Sequence, residues 1–171
     1  MKKKVLGIVM LLGMLTGCVG NIKDGVLLLE DAKYEDAIAI FEQDIKKERN
    51  LDEAYRGIGI ACFELGEYEK SAASFESALE HDAKETATLC GLLGACYMHM
   101  EEYEKALDVY TNALAKEDLT KELKQEIEFN LIAIYEYTGN WEAAKEQIDQ
   151  YVKDYPEDTR VDKEADFLET R

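Results

Sequence analysis

One short motif recurs four times along the chain: Tyr34-Glu35-Asp36-Ala37, Tyr68-Glu69-Lys70-Ser71, Tyr103-Glu104-Lys105-Ala106 and Trp141-Glu142-Ala143-Ala144. Its leading aromatics are separated by 34, 35 and 38 residues. A period of about 34 residues belongs to a two-helix unit that cannot bury its apolar face alone and does so only by stacking on its neighbours. A chain built this way is an array with an extended surface. A binding module is therefore the first functional class to consider, and an enzyme a remote one.

Further columns hold the same register. About ten residues before each aromatic come Asp24-Gly25, Ile58-Gly59, Leu93-Gly94 and Leu131-Ile132, followed by Leu28, Cys62, Tyr97 and Tyr135. Seven residues after each aromatic stand Phe41, Phe75, Tyr110 and Ile148, and then Asp44, Ala78, Ala113 and Tyr151. A small residue midway along a first helix lets a second helix approach closely. The Ala or Ser after the aromatic does the same from the other side, and the large residues fill the space between. The pattern predicts helices near 21–31, 34–48, 52–65, 68–81, 86–99, 103–115, 121–137 and 141–154. Four extra residues in the last interval correspond to about one helical turn, placed in Ala115–Gln125 as a longer connection or an extended helix.

At these residues the chain resembles the tetratricopeptide repeat family, over about residues 21–158. Pro156, the only proline, falls where that family often ends a repeat, and Gly66 and Gly139 fall in the turn within a repeat. Asp24, Ile132, Asp44 and Tyr151 depart from the family pattern, so the central two copies match best and the outer two are atypical ends. The resemblance implies an all-α fold, a right-handed superhelical stack of about four helix-turn-helix repeats (about 21–51, 52–85, 86–120 and 121–158). Residues 159–171 read as a C-terminal capping helix, with Val161, Ala165 and Leu168 turned inward.

The front of the chain reads as an address. Lys2, Lys3 and Lys4 precede an apolar run, Val5–Leu15, that is too short to span a bilayer as a helix. Leu15-Thr16-Gly17-Cys18 resembles the lipobox of bacterial lipoproteins. That resemblance implies cleavage after residue 17 and a diacylglyceryl thioether on Cys18, which needs a thiol directly after a small residue. Two or more acyl chains hold a protein to membrane stably, whereas one does not. Residues 18–20 would leave a tether of roughly 10 Å at about 3.3 Å per residue, on the extracytoplasmic side of the cell membrane. A plain secreted protein is the simpler alternative.

Formal net charge is −17, and loss of the leader with its three lysines takes it to −20. That balance disfavours nucleic acid and docking to anionic headgroups, both of which need cationic surface. The acids are spread through every repeat, as befits a solvated face. With Cys18 lipidated, Cys62, Cys90 and Cys96 remain, an odd number that cannot pair fully. They read as small core fillers. A metal pair Cys96…His99 completed by Cys62 is the sharper alternative, without the paired spacing of zinc sites. No phosphate loop, nucleophile elbow or metalloprotease helix motif is present, and no cofactor is expected.

In the resembling family the first helices line a concave groove that holds peptides. The corresponding positions are Arg56, Ile60, Phe63 and Glu64, then Gly91, Ala95, Met98 and His99, then Phe129, Ala133, Glu136 and Tyr137. Arg56, Ile60, Phe63, Met98, His99, Phe129 and Tyr137 are the candidate partner contacts. With Arg56 as its lone cation, this lining does not suit the acidic peptide termini that some family members grip. It suits a segment with large apolar side chains. Two functional readings follow: an envelope adaptor that holds a protein partner, or an accessory factor that presents substrates to a secretion or cell-wall machinery.

Overall fold

The computed structural model describes residues 21–162. Residues 1–20, with the leader and Cys18, and residues 163–171, most of the expected capping helix, lie outside the described residues. The described residues form eight helices: α1 (Ile22–Glu30), α2 (Tyr34–Lys46), α3 (Leu51–Glu64), α4 (Tyr68–Glu80), α5 (Ala87–His99), α6 (Tyr103–Leu114), α7 (Lys121–Tyr137) and α8 (Trp141–Asp154). A 3-10 turn, Thr159–Val161, follows. Each boundary lies within two residues of the expected one.

The columns of the repeat are its packing code. Ala37, Ser71, Ala106 and Ala144 are all 0 % exposed. A Cβ on Gly25 would stand 2.4 Å from Phe41, one on Gly59 2.6 Å from Phe75, and one on Gly94 2.5 Å from Tyr110. The second helix therefore lays its aromatic on bare first-helix backbone. In the fourth repeat both members of this pair change together: Ile132 and Ile148 are buried in one cluster. Volume is conserved across the crossing, which is what close packing demands.

Every turn within a repeat has the same geometry. Ala32, Gly66, Glu101 and Gly139 take φ of 56°, 74°, 59° and 72°. The amide that follows each donates back five residues, Lys33 to Leu28, Glu67 to Cys62, Glu102 to Tyr97 and Asn140 to Tyr135, at 2.8–2.9 Å. This left-handed cap satisfies carbonyls that the ending helix leaves open. Glycine takes the conformation freely at two of the four positions; Ala32 and Glu101 take it at a cost of about 1–2 kcal/mol each.

The departures at the ends have local causes. Asp24 stands in an apolar column because α1 starts late: Asn21 and Asp24 form a reciprocal capping box at its N-terminus. Asp44, in a small-residue column, is fully buried and ion-paired to Arg49 from the following loop. The four extra residues of the last interval all fall within α7, which has 17 residues against 13 in α5. The preceding connection keeps its length, so the extended-helix alternative is the one adopted.

The first helices pack on one another in series, α1 on α3, α3 on α5 and α5 on α7, and the second helices pack on the first helices on either side. The first helices therefore form the inner layer of the stack, and their free sides make its concave face.

Candidate functional site

Two depressions divide that face. The N-terminal basin, about 570 Å³, lies between α1 and α3 and is lined by Ile22, Val26, Leu27, Leu29, Gly57 and Ile60, with Lys23, Glu53 and Arg56 at its rim. The C-terminal basin, about 640 Å³, runs from α3 across α5 to α7 and is lined by Phe63, Leu92, Ala95, Met98, His99, Leu123, Asn130 and Tyr137, among others. Ile60 and Phe63 lie one turn apart on α3, so the basins adjoin there.

Six of the seven candidate contacts fall on these walls: Arg56 and Ile60 in the first basin, and Phe63, Met98, His99 and Tyr137 in the second. Phe129 does not join them. Its ring centre is 6.0 Å from that of Tyr151, and the Arg160 guanidinium lies 4.3 Å over its face. Phe129 therefore packs beneath the C-terminal turn, because α7 is long enough to present its middle to α8 and that turn. Phe63 also differs from expectation. It is half-buried and meets Tyr68 edge-on at 5.7 Å, so it serves the core as well as the groove wall.

Aromatic pairs between successive repeats shape the second basin. Tyr68 stacks on His99 with ring centres 3.8 Å apart, and Tyr103 stacks on Tyr137 at 5.0 Å. Tyr137 remains 68 % exposed and offers its outer face to the groove. Leu123, from the extra turn of α7, closes the basin over Gly91, where a Cβ would stand 2.9 Å from its Cδ1. Asn130 Nδ2 donates to the Tyr110 hydroxyl at 3.1 Å and so is fixed at the groove floor. Leu123, Asn130, Tyr103, Val26 and Leu27 were not among the sequence candidates. The added turn in the last interval was the one signal that pointed to Leu123.

The metal alternative fails on geometry. Cys62 and Cys96 are buried, and the Cys96 thiol donates to Ser71 Oγ at 3.2 Å, while His99 faces outward on Tyr68. The Ser71 hydroxyl in turn donates a hydrogen bond to the Gly59 carbonyl at 2.7 Å, which ties three helices together. Burial pushes the thiols of Cys62, Cys90 and Cys96 up, so all three are held protonated as core groups. Among the described residues no group of three or more His, Cys, Asp or Glu is placed to hold a metal.

Arg160 gathers the C-terminal end. It pairs with Asp158 at 2.9 Å and Glu126 at 2.8 Å, and its Nη2 donates to the Tyr151 hydroxyl at 2.9 Å. Hydrogen bonds from Arg160 and Tyr151 hold the Asp158 carboxyl well below the usual carboxylate range. Val161 is fully buried beneath this strap.

Tetratricopeptide repeat models match residues 23–88, 89–122 and 128–158. Together they take in nearly all of the described chain, and the protein belongs to the tetratricopeptide repeat family. Repeats of this family make protein–protein interaction scaffolds, and no catalytic family is indicated. Among curated proteins there is no match. Similar solved structures include YrrB, described as a TPR protein with an unusual peptide-binding site. It is 21 % identical, with a TM-score of 0.69 over 79 % of this chain and 67 % of that one. MamA AMB-1 is 17 % identical, with a TM-score of 0.71 over 85 % and 77 % of the two chains. The C-terminal part of a TPR protein from Cytophaga hutchinsonii is 16 % identical, with a TM-score of 0.72 over 86 % and 57 %. At these identities the likeness is one of fold, and it matches the all-α superhelical stack expected from the sequence.

Proposed function

We propose that this protein is a membrane-anchored adaptor of the bacterial cell envelope that holds a peptide or protein segment on its concave face. The observation that carries the reading is the apolar C-terminal basin, walled by Phe63, Met98 and the exposed ring of Tyr137. Rigid aromatic side chains over an apolar floor are the usual anchors of protein association. The anchor is read from the sequence alone: a basic start, a short apolar run and Gly17-Cys18. No described helix is long and apolar enough to cross a membrane, and a diacylglyceryl group on Cys18 is an anchor that needs none.

The test is a crosslinking pull-down from native membranes, comparing the wild type with Phe63→Ala/Tyr137→Ala. Loss of a hot-spot aromatic costs about 2 kcal/mol or more, roughly a thirtyfold fall in affinity. Copurifying protein should fall to a small fraction of its wild-type yield. Since Phe63 also packs in the core, Tyr137→Ala alone is the milder variant, giving up only the stack on Tyr103, about 0.5–1.5 kcal/mol, and it should show the same loss in part. The same partners at the same yield from both variants would remove the concave face from the function. In parallel, fatty-acid labelling should vanish in Cys18→Ala and the protein should leave the membrane fraction. Persistent labelling refutes the anchor and leaves the groove reading standing.

A further inference from the structure

The charge on the concave face changes sign from one end to the other. Lys23 and Arg56 stand at the rim of the N-terminal basin, both exposed, and neither forms an ion pair among the described residues. Glu53 is the acid beside them. Glu101 and Glu126 line the C-terminal basin, and no Lys or Arg does. Glu101 has no ion pair among the described residues, whereas Glu126 shares its charge with Arg160. On a chain of net charge −17 acid is unremarkable anywhere. Two unpaired cations beside an exposed apolar patch, with Val26 43 % and Leu27 59 % exposed, are not.

We propose that the two basins act together on one extended segment of polar charge pattern. It places a large apolar side chain in each basin, with acidic residues beside the anchor at α1 and α3 and basic residues beside the anchor at α5 and α7. This inference rests on the reading that the concave face binds a partner, and it adds the partner's pattern and direction. The basin centres are about one and a half helix spacings apart, roughly 12–15 Å. An extended chain rises about 3.3 Å per residue, so the anchors stand about four or five residues apart. Complementary rim charges chiefly set the encounter rate and reject the reversed orientation, because mispaired like charges are penalised. Acidic residues over Glu101 and basic residues over Lys23 and Arg56 define that rejected arrangement.

The experiment selects a random dodecapeptide phage library against the full chain in detergent micelles. Enriched peptides should carry two large apolar residues about four or five apart, with acids beside one and bases beside the other. Lys23→Glu/Arg56→Glu should abolish the preference for acids and leave that for bases. Glu101→Lys, which breaks no ion pair of the described residues, should weaken the preference for bases and leave that for acids. Synthetic peptides from the selection should lose affinity several-fold for the matching variant, with a larger loss at low salt. Enriched peptides that need Tyr137 but show no charge asymmetry, or keep it unchanged in both variants, overturn this inference alone. Absence of enrichment, or enriched peptides indifferent to Tyr137→Ala, overturns it together with the concave-face reading.

Discussion

The ring of Tyr68, at the start of α4, lies flat on the imidazole of His99, at the end of α5, with their planes 2° apart. The contact recurs one repeat on, where Tyr103 stacks on Tyr137. One repeat earlier, Tyr34 reaches the corresponding residue with its hydroxyl, donating to Glu64 at 3.5 Å. The motif aromatics of the first three repeats thus reach across to the next repeat, Tyr68 while also packing against Phe63 of its own. An aromatic pair contributes about 0.5–1.5 kcal/mol beyond area burial. His99→Ala should lower unfolding free energy in urea by about that amount, and His99→Phe should restore most of it. Equal stability of both variants and the wild type would show that the stack carries no energy.

The glycine–aromatic crossings make a second prediction. Gly94→Ala gains up to about 1 kcal/mol of helix propensity. Against this, its Cβ would meet Tyr110 at 2.5 Å, and overpacking costs about 1–3 kcal/mol. The net effect should be destabilising, unlike Gly→Ala in an open helix. Repeat four shows the compensated solution in Ile132 and Ile148. Gly94→Ile with Tyr110→Ile should therefore be more stable than Gly94→Ile alone. A denaturant double-mutant cycle reads the coupling, expected at about 0.5–3 kcal/mol.

Asp44 and Arg49 are unequal partners, the carboxylate fully buried and the guanidinium side chain 47 % exposed. One carboxylate oxygen, Asp44 Oδ2, has no hydrogen-bond partner among the described residues. Removing Arg49 strands a buried charge, a change that costs about 3–5 kcal/mol. Removing Asp44 leaves a cation that water can solvate. Arg49→Ala should lower the melting temperature sharply, and Asp44→Ala should leave it near or above the wild-type value. Calorimetry of the two variants checks the asymmetry. The reverse ranking would mean that the carboxylate is stabilised by more than Arg49.

The strap over Val161 should be acid-sensitive. Asp158 is depressed in the folded state by Arg160 and Tyr151, so its contribution is present above the ordinary carboxylate value of 3.8 and is lost as pH falls through the lower folded value. The stability difference between the wild type and Asp158→Asn should be constant near neutrality and shrink progressively below pH 3.8. Urea titrations at several pH values measure it. A difference that grows on acidification would contradict the assignment.

The sequence by itself determined the repeat, its register, the helix boundaries and the small-to-large crossings. Each of these depends on contacts at fixed offsets, such as Gly94 with Tyr110, which recur and so leave a periodic trace. It also placed six of seven candidate contacts on the concave face, because position within a first helix fixes which side it presents. Tertiary structure decided what depends on a single, unrepeated neighbour. Phe129 turned under Arg160 because α7 gained a turn and the chain after α8 folded back over it. Leu123 became a groove wall for the same reason, and Asp44 became tolerable in a core column only because Arg49 reaches it. The reversal of charge between the two basins is also of this kind. Lys23 with Arg56, and Glu101 with Glu126, are distant in sequence and become neighbours only when successive repeats stack.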